Sequence, residues 1–190
     1  MNEDSLESKA ETMDDREGTA DRHAFIALGS NVGDRIAYLR RAVDGLQTAS
    51  NLHVVATSPV YESPAHVRQV GDRHPDFLNA VVEVDTILDP HDLLTVCQRI
   101  ERGAGRIRSG ETRWVPRTLD LDLLIFGHEV IDDAQLTLPH PRLWQRRFVL
   151  RPLADLAPDL HIPLPYDATV ATLLHDCPDD NVPVRTEHVL

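Results

Sequence analysis

The chain has 190 residues, 42% hydrophobic and 26% charged, with a formal net charge of −12. That length suits one domain with a real core and excludes disorder throughout, while the acidic balance argues against a nonspecific nucleic-acid binder held by phosphate neutralisation. No apolar run approaches a membrane span and the first thirty residues lack a basic-then-apolar secretory layout, so a cytoplasmic location without membrane partners is expected.

Residues 1–22 hold eight acids against three bases, with only Leu6 and Met13 as sizeable apolar side chains, and are expected to be a disordered acidic tail. Order is expected to begin at HAFIALGS, an uninterrupted apolar run into Gly29 that predicts a buried strand. A helix should follow, because Ile36, Leu39, Val43 and Leu46 share one face and Asp34 stands where it can cap the first turn. β-branched residues with alternation predict strands from Leu52 to Ser58 and from Phe77 to Ile87. The stretch between them is long, polar and Pro-rich, which reads as a functional loop. PHDLLTVCQRIERG places Leu93, Leu94, Cys97 and Ile100 on one stripe, giving a second helix that ends at Gly103. TLDLDLLIFG, bounded by Pro116 and Gly127, predicts a fourth strand.

This βαββαβ order predicts an α+β ferredoxin-like sandwich, an antiparallel sheet with helices packed on one face, plus short C-terminal additions from His128 to about Asp176. The expected organisation is a tail over 1–22, one domain over 23–178 and an extension over 179–190. The two cysteines, Cys97 and Cys177, have no metal-ligand spacing, and Cys97 reads as buried filler in a reducing compartment.

Chemistry concentrates in one segment. Lys9 is the only lysine, so a lysine phosphate loop and a Schiff-base lysine are both excluded, and arginines and metal must handle any phosphate. Arg99 to Arg117 contains six arginines and two glutamates, a local cationic excess suited to an anion. Immediately after it, Asp120 and Asp122 project from the same side of a strand, about 7 Å apart along the backbone. Two such carboxylates fit a hard divalent ion, above all Mg²⁺, or else are acids on an exposed edge. With Arg106, Arg108, Arg113 and Arg117 in a glycine-containing segment just before them, they read as a polyphosphate site.

The runs FIALGSN, PDFLNAVVEV, QRIERGAGRIR, WVPRTLDLDLLIFG and LTLPHPRL…RFVLRPL, in order from about Ala24 to Asp176, resemble the 6-hydroxymethyl-7,8-dihydropterin pyrophosphokinases of folate biosynthesis. The resemblance implies transfer of a pyrophosphoryl group from ATP to the pterin hydroxymethyl oxygen, releasing AMP, by a chain expected to be a monomer. It implies two Mg²⁺ ions on Asp120 and Asp122 and catalytic roles for Arg106 and Arg117. Gln98, Glu101, Arg108, Trp114, His140 and Arg146 would lie around ATP. The pterin would lie between the Phe77 and Phe148 rings, with the Asn79 amide on its edge and Ser63, Ala65 and His66 beside it. Three positions depart from the family pattern: Val115 replaces a common Gly, Gln135 an arginine and Phe77 a tyrosine. A competing reading is a ferredoxin-like module that binds a nucleotide or metal without catalysis. The two differ in whether Phe77, Asn79 and Phe148 converge on the acids.

Overall fold

The computed structural model describes residues 22–65, 75–105 and 118–190, and the expected acidic tail lies almost entirely outside them. β1 (Arg22–Ser30), α1 (Arg35–Gln47), β2 (Leu52–Thr57), β3 (Tyr61–Ser63), β4 (Phe77–Thr86), α2 (Pro90–Gly103) and β5 (Asp120–Phe126) form the main unit. β6 (Ile131–Asp132) and β7 (Thr137–Leu138) make a small hairpin, followed by a 3₁₀ turn over Leu143–Gln145 and α3 (Arg147–Leu156). β8 (His161–Ile162), β9 (Ala168–Thr169), α4 (Val170–His175) and β10 (Val184–Arg185) complete the chain.

The main sheet runs β10-β3-β4-β1-β5, with β2 paired to the other end of β4, and all its pairings are antiparallel. Its central strands are buried on both faces, which explains why β1 reads as one unbroken apolar run. Ala24, Ile26 and Leu28 pack with Leu39, Leu46, Leu93 and Cys97 beneath α1 and α2. Phe25 and Ala27 pack on the opposite side with Val149, Leu150 and Leu153 of α3 and Val170 of α4. Helices on both faces correct the expectation of one covered face. The Pro-rich C-terminal part builds the second layer, which its short helical patterns did not reveal.

Local signals set most boundaries. Asp34 caps α1 by accepting from the Ala37 amide at 3.1 Å, and Asp89 caps α2 by accepting from Asp92 at 2.8 Å, with Pro90 in the first turn. α2 ends at Gly103 as expected. The left-handed residue is Gly105, two positions further on, with φ +81°. The segment expected to be a loop contains β3, whose three residues between Pro59 and Pro64 are too few to show alternation. Ser58 bridges β2 and β3 along β4: its hydroxyl accepts from the Val81 amide and its own amide donates to Val81 O. Residues 179–190 include β10 on the edge of β3, and Arg40 holds the segment further by donating to Val189 O from both Nε and Nη2.

Cys97 fills the core as expected: it is fully buried, and burial, reinforced by the Glu101 carboxylate, pushes its thiol up to about 12. In a Cys177→Ala background, Ellman's reagent at pH 8 should leave Cys97 untouched in the native protein and titrate it fully in denaturant. Rapid native labelling would contradict this packing.

Candidate active site

The antiparallel register places three residues in one lateral row: Gly29 of β1 lies opposite Asn79 of β4 on one side and Asp120 of β5 on the other. Opposed residues share a sheet face, so the Asn79 amide and the Asp120 carboxylate flank a position that has no side chain. A Cβ on Gly29 would lie 3.7 Å from Asn79 Oδ1, 3.8 Å from Phe77 Cδ1 and 3.9 Å from Asp120 Cβ. Gly29 therefore forms the floor of a recess walled by Phe77, Asn79 and Asp120. β4 begins at Phe77, so Phe77 and Asn79 share this face, as the two-residue spacing requires.

The Asn79 side chain is buried, and its Nδ2 donates to Ser63 Oγ at 2.9 Å, which fixes the direction of its carbonyl oxygen. Ser63 reaches this position because it lies opposite Phe77 in the β3–β4 pairing. Ala65 follows two residues later, half-buried, while His66 lies outside the described residues.

Leu119, just before β5, and Leu121 and Leu123 within it enter the core and leave Asp120 and Asp122 half-exposed on the other face, as alternation predicts. The strand is fixed at its start and edge. Ser30 Oγ donates to Thr118 O at 2.6 Å, and Glu101, 1% exposed, accepts from the Leu121 amide at 2.9 Å. Glu101 thus satisfies an amide on the sheet edge with a buried carboxylate. Gln98 lies one turn earlier on α2, half-buried.

Asp122 faces the C-terminal layer. Its Oδ2 accepts from Arg146 Nη1 at 2.9 Å, and His140 Nε2 stands 3.8 Å away. Arg146 also stacks over Phe148, its guanidinium carbon 5.8 Å from the ring centroid. Arg146 thereby links the Phe148 ring to Asp122. His140 is held by its amide on Leu124 O and by Tyr166, whose hydroxyl donates to His140 O. Its Nδ1 accepts from the Arg142 amide at 3.2 Å, which leaves the proton on Nε2, facing Asp122. Burial, with Arg146 and Arg142 nearby, lowers its pKa to about 4 despite the opposing pull of Asp122, so the ring is neutral near pH 7.

A cleft of about 450 Å³ opens at the same end of the sheet, lined by Asn31, Gly33, Arg35, Glu62, Pro75 and Asp76. Arg35 spans it, donating to Glu62 at 2.8 Å and to Asp76 O at 2.6 Å. Arg106, Arg108, Trp114 and Arg117 lie outside the described residues. Reading from sequence alone missed the spatial role of Gly29. Its signal was present, a glycine at the end of an apolar strand, but register was needed to give it neighbours.

The donor set suits a hard cation. Two carboxylates share one face, and among the described residues no third His, Cys, Asp or Glu joins them in a metal-holding group. Mg²⁺ is commonly held this way, by one or two carboxylates with water and substrate phosphates completing the shell.

Comparison with known proteins adds a family. Residues 25–158 match the 7,8-dihydro-6-hydroxymethylpterin-pyrophosphokinase family. A Bacillus subtilis 2-amino-4-hydroxy-6-hydroxymethyldihydropteridine pyrophosphokinase is 48% identical over 134 residues, 70% of this chain and 77% of that protein. The Pseudomonas aeruginosa protein of the same name is 41% identical over 165 residues, 85% of this chain and 95% of the relative. A wild-type Plasmodium falciparum HPPK-DHPS structure with pterin and p-hydroxybenzoate superposes with a TM-score of 0.62 at 17% identity, covering 84% of this chain and 43% of that one. At that identity it shows the fold alone, and this chain spans less than half of its length.

The buried His140 gives a pH test. Its folded pKa lies below its ordinary value of 6.5, so on acidification the unfolded chain takes up this proton first. Stability is fully present above about pH 6.5 and falls as pH drops toward 4, by on the order of 3 kcal/mol. Denaturant titrations of metal-free protein should show His140→Gln losing less stability than wild type between pH 7 and pH 4.5. Equal losses would contradict a buried neutral imidazole.

Proposed function

The chain belongs to the 7,8-dihydro-6-hydroxymethylpterin-pyrophosphokinase family, and we propose that its recess and acidic pair transfer pyrophosphate from ATP to 6-hydroxymethyl-7,8-dihydropterin, releasing AMP. The observation that carries this reading is the single row Asn79–Gly29–Asp120, which joins a slot for a flat ring to a pair of carboxylates across two strand spacings. A ferredoxin-like reading of the fold agrees with the helix–strand order and with the path β2/β3–β4–β1–β5. The approach of Phe77 and Asn79 to Asp120 supports the enzyme over the binding module, because a module that only holds a nucleotide has no use for a second slot beside the acids.

The pterin lies over Gly29, where the missing side chain leaves room for a ring, with Phe77 on one face and Phe148 on the other. The Asn79 amide, aimed by Ser63, reads the pterin edge, and Ala65 and His66 are assigned to the same substrate by family resemblance. Phe77 supplies stacking without a tyrosine hydroxyl. The hydroxymethyl group then points along the row toward Asp120, and its oxygen attacks the β-phosphorus of ATP as the bond to AMP breaks. The substrate brings its own nucleophile, so positioning and charge stabilisation can carry the step, in keeping with a chain that has no lysine beyond position 9.

Asp120 and Asp122 would hold Mg²⁺, two ions by family resemblance. Bound there, the metal would supply charge neutralisation for the transferring phosphates. Arg146 neutralises part of Asp122 and holds its carboxylate in one orientation. His140, neutral with its proton on Nε2, can donate to a phosphate oxygen without adding a charge that would compete with the metal. Gln98 and Glu101 approach the nucleotide from α2, Glu101 by fixing the β5 backbone. Arg106 and Arg117 are assigned to the transferring phosphates, with Arg108 and Trp114 in the same segment. Gln135 removes one cation from this side. A monomer in the cytoplasm is the simplest setting, and among the described residues no helix is long and apolar enough to cross a membrane.

Incubation with ATP, Mg²⁺ and the pterin should yield AMP by chromatography, and ADP as the product would overturn the reading. Asp120→Ala and Asp122→Ala should each lower kcat by about a thousandfold with far-UV circular dichroism unchanged. Near-normal turnover in either variant would rule out the assigned metal role.

A further inference from the structure

One guanidinium joins three elements at the end of the sheet that carries the recess. Arg35 of α1 donates from Nη1 to Glu62 Oε1 of β3 at 2.8 Å and to the carbonyl of Asp76, the residue before β4 begins, at 2.6 Å. Asn31, 3% exposed, donates from Nδ2 to the adjacent Pro75 carbonyl at 3.4 Å. The β1–α1 connection, which runs on from Gly29, thus holds two consecutive carbonyls on the approach to Phe77 and one side chain of β3. All of these residues line the cleft of about 450 Å³.

Arg35 meets these strands from the face opposite the recess. Glu62 pairs with Leu78, which packs in the core beneath α1 and α2, whereas Ser63 pairs with Phe77 on the recess face. Among the described residues Ser63–Phe77 is the last pair of the β3–β4 ladder, and a ladder opens most readily where pairing stops. The other end is secured by Ser58, whose hydroxyl and amide both bond the Val81 backbone. At the recess end Arg35 grips the residue before Ser63 on one strand and the residue before Phe77 on the other. Both members of that pair serve the slot: Ser63 orients the Asn79 amide, and Phe77 is a wall beside Gly29. α1 has no need of this arginine. Arg35 is its first residue, where the helix dipole favours an acid over a cation, and the helix is already capped by Asp34 and seated by Leu39, Ala42 and Leu46. A half-exposed ion pair alone would add little, but a charged donor on a main-chain carbonyl fixes backbone position.

We propose that Arg35, acting through Glu62 and the Asp76 carbonyl, is a positioning residue that keeps the terminal Ser63–Phe77 pair closed and so holds the Phe77 wall and the Asn79 amide in place for a flat heterocycle. This rests on the pterin reading of that slot. Arg35 touches neither substrate. Asp120 and Asp122 lie on β5, beyond β1 from this clamp, so its effect is confined to the aromatic side of the site.

The test compares Arg35→Met and Glu62→Gln with wild type, reading KM for the pterin and for ATP separately, the pterin Kd from its fluorescence without nucleotide, and backbone hydrogen exchange. Arg35→Met should raise both pterin constants about fivefold while KM for ATP stays within about twofold. Exchange should quicken over Tyr61–Ser63 and at Phe77 and Leu78, with Val81 to Val84 as protected as before. Glu62→Gln should have a smaller effect, because the bond to Asp76 remains, and the double variant should be no worse than Arg35→Met alone. Arg40→Gln removes the same charge from the same helix and should leave the pterin constants unchanged. Equal rises in both KM values, pterin constants within twofold of wild type in Arg35→Met, unaltered exchange at the strand ends, or a matching pterin effect in Arg40→Gln would overturn the proposal. A wild-type chain that binds pterin but makes no AMP overturns the transfer reading alone, since the Kd and exchange comparisons still decide the positioning role. A wild-type chain that binds no pterin overturns both.

Discussion

The register between β4, β1 and β5 is the constraint on which the site depends. A shift of one residue in either pairing would turn Asn79 or Asp120 into the core and put a leucine beside Gly29, because side chains alternate strictly along a strand. The core holds that register. Ile26, Leu28, Leu78, Leu121 and Leu123 must face α1 and α2, which forces the polar members of the same strands to the opposite face. The acids sit where the apolar alternation leaves them, and Gly29 opens the space between them and the amide.

Electrostatics then divides the site in two. The side proposed for the pterin is nearly uncharged: the Phe77 ring, with an amide and a hydroxyl oriented by one another. The side proposed for the phosphates carries the acids, partly compensated by Arg146 and accompanied by an imidazole that burial keeps neutral. This arrangement suits a reaction in which the nucleophile belongs to one substrate and the charge to the other. It also accounts for a strongly acidic chain that handles a polyanion: the cations are local, guanidinium-based and grouped just ahead of the acidic strand.

Much of this was legible in the residues. The Asp34 and Asp89 caps, the two helical stripes and the alternation of TLDLDLLIF each follow from local periodicity, and each gives the observed element within a residue or two. What escaped depends on partners distant in sequence. β3 exists because β4 and β10 bracket it, and no three-residue stretch declares that. Gly103 ends α2 as its sequence suggests, but the left-handed backbone falls two residues later at Gly105. The second helical layer was hidden by Pro152, an apparent breaker inside α3, and by the weak periodicity of a six-residue α4. In the site, Asp120 and Asp122 stood out by spacing and Phe77 and Asn79 by resemblance, while the part played by Gly29 appears only when strands are laid side by side.

The central claim is that slot and acids are one site. With Mn²⁺ in place of Mg²⁺ and a nonhydrolysable ATP analogue bound, paramagnetic relaxation of the protons of bound 6-hydroxymethyl-7,8-dihydropterin measures the distance between them. Two strand spacings from Asn79 to Asp120 predict a metal-to-ring separation of about 10 Å or less, with strong broadening of the pterin signals that is lost in Asp120→Ala. Pterin signals that remain sharp while both ligands are bound would show that ring and metal occupy separate places, and the account would fail.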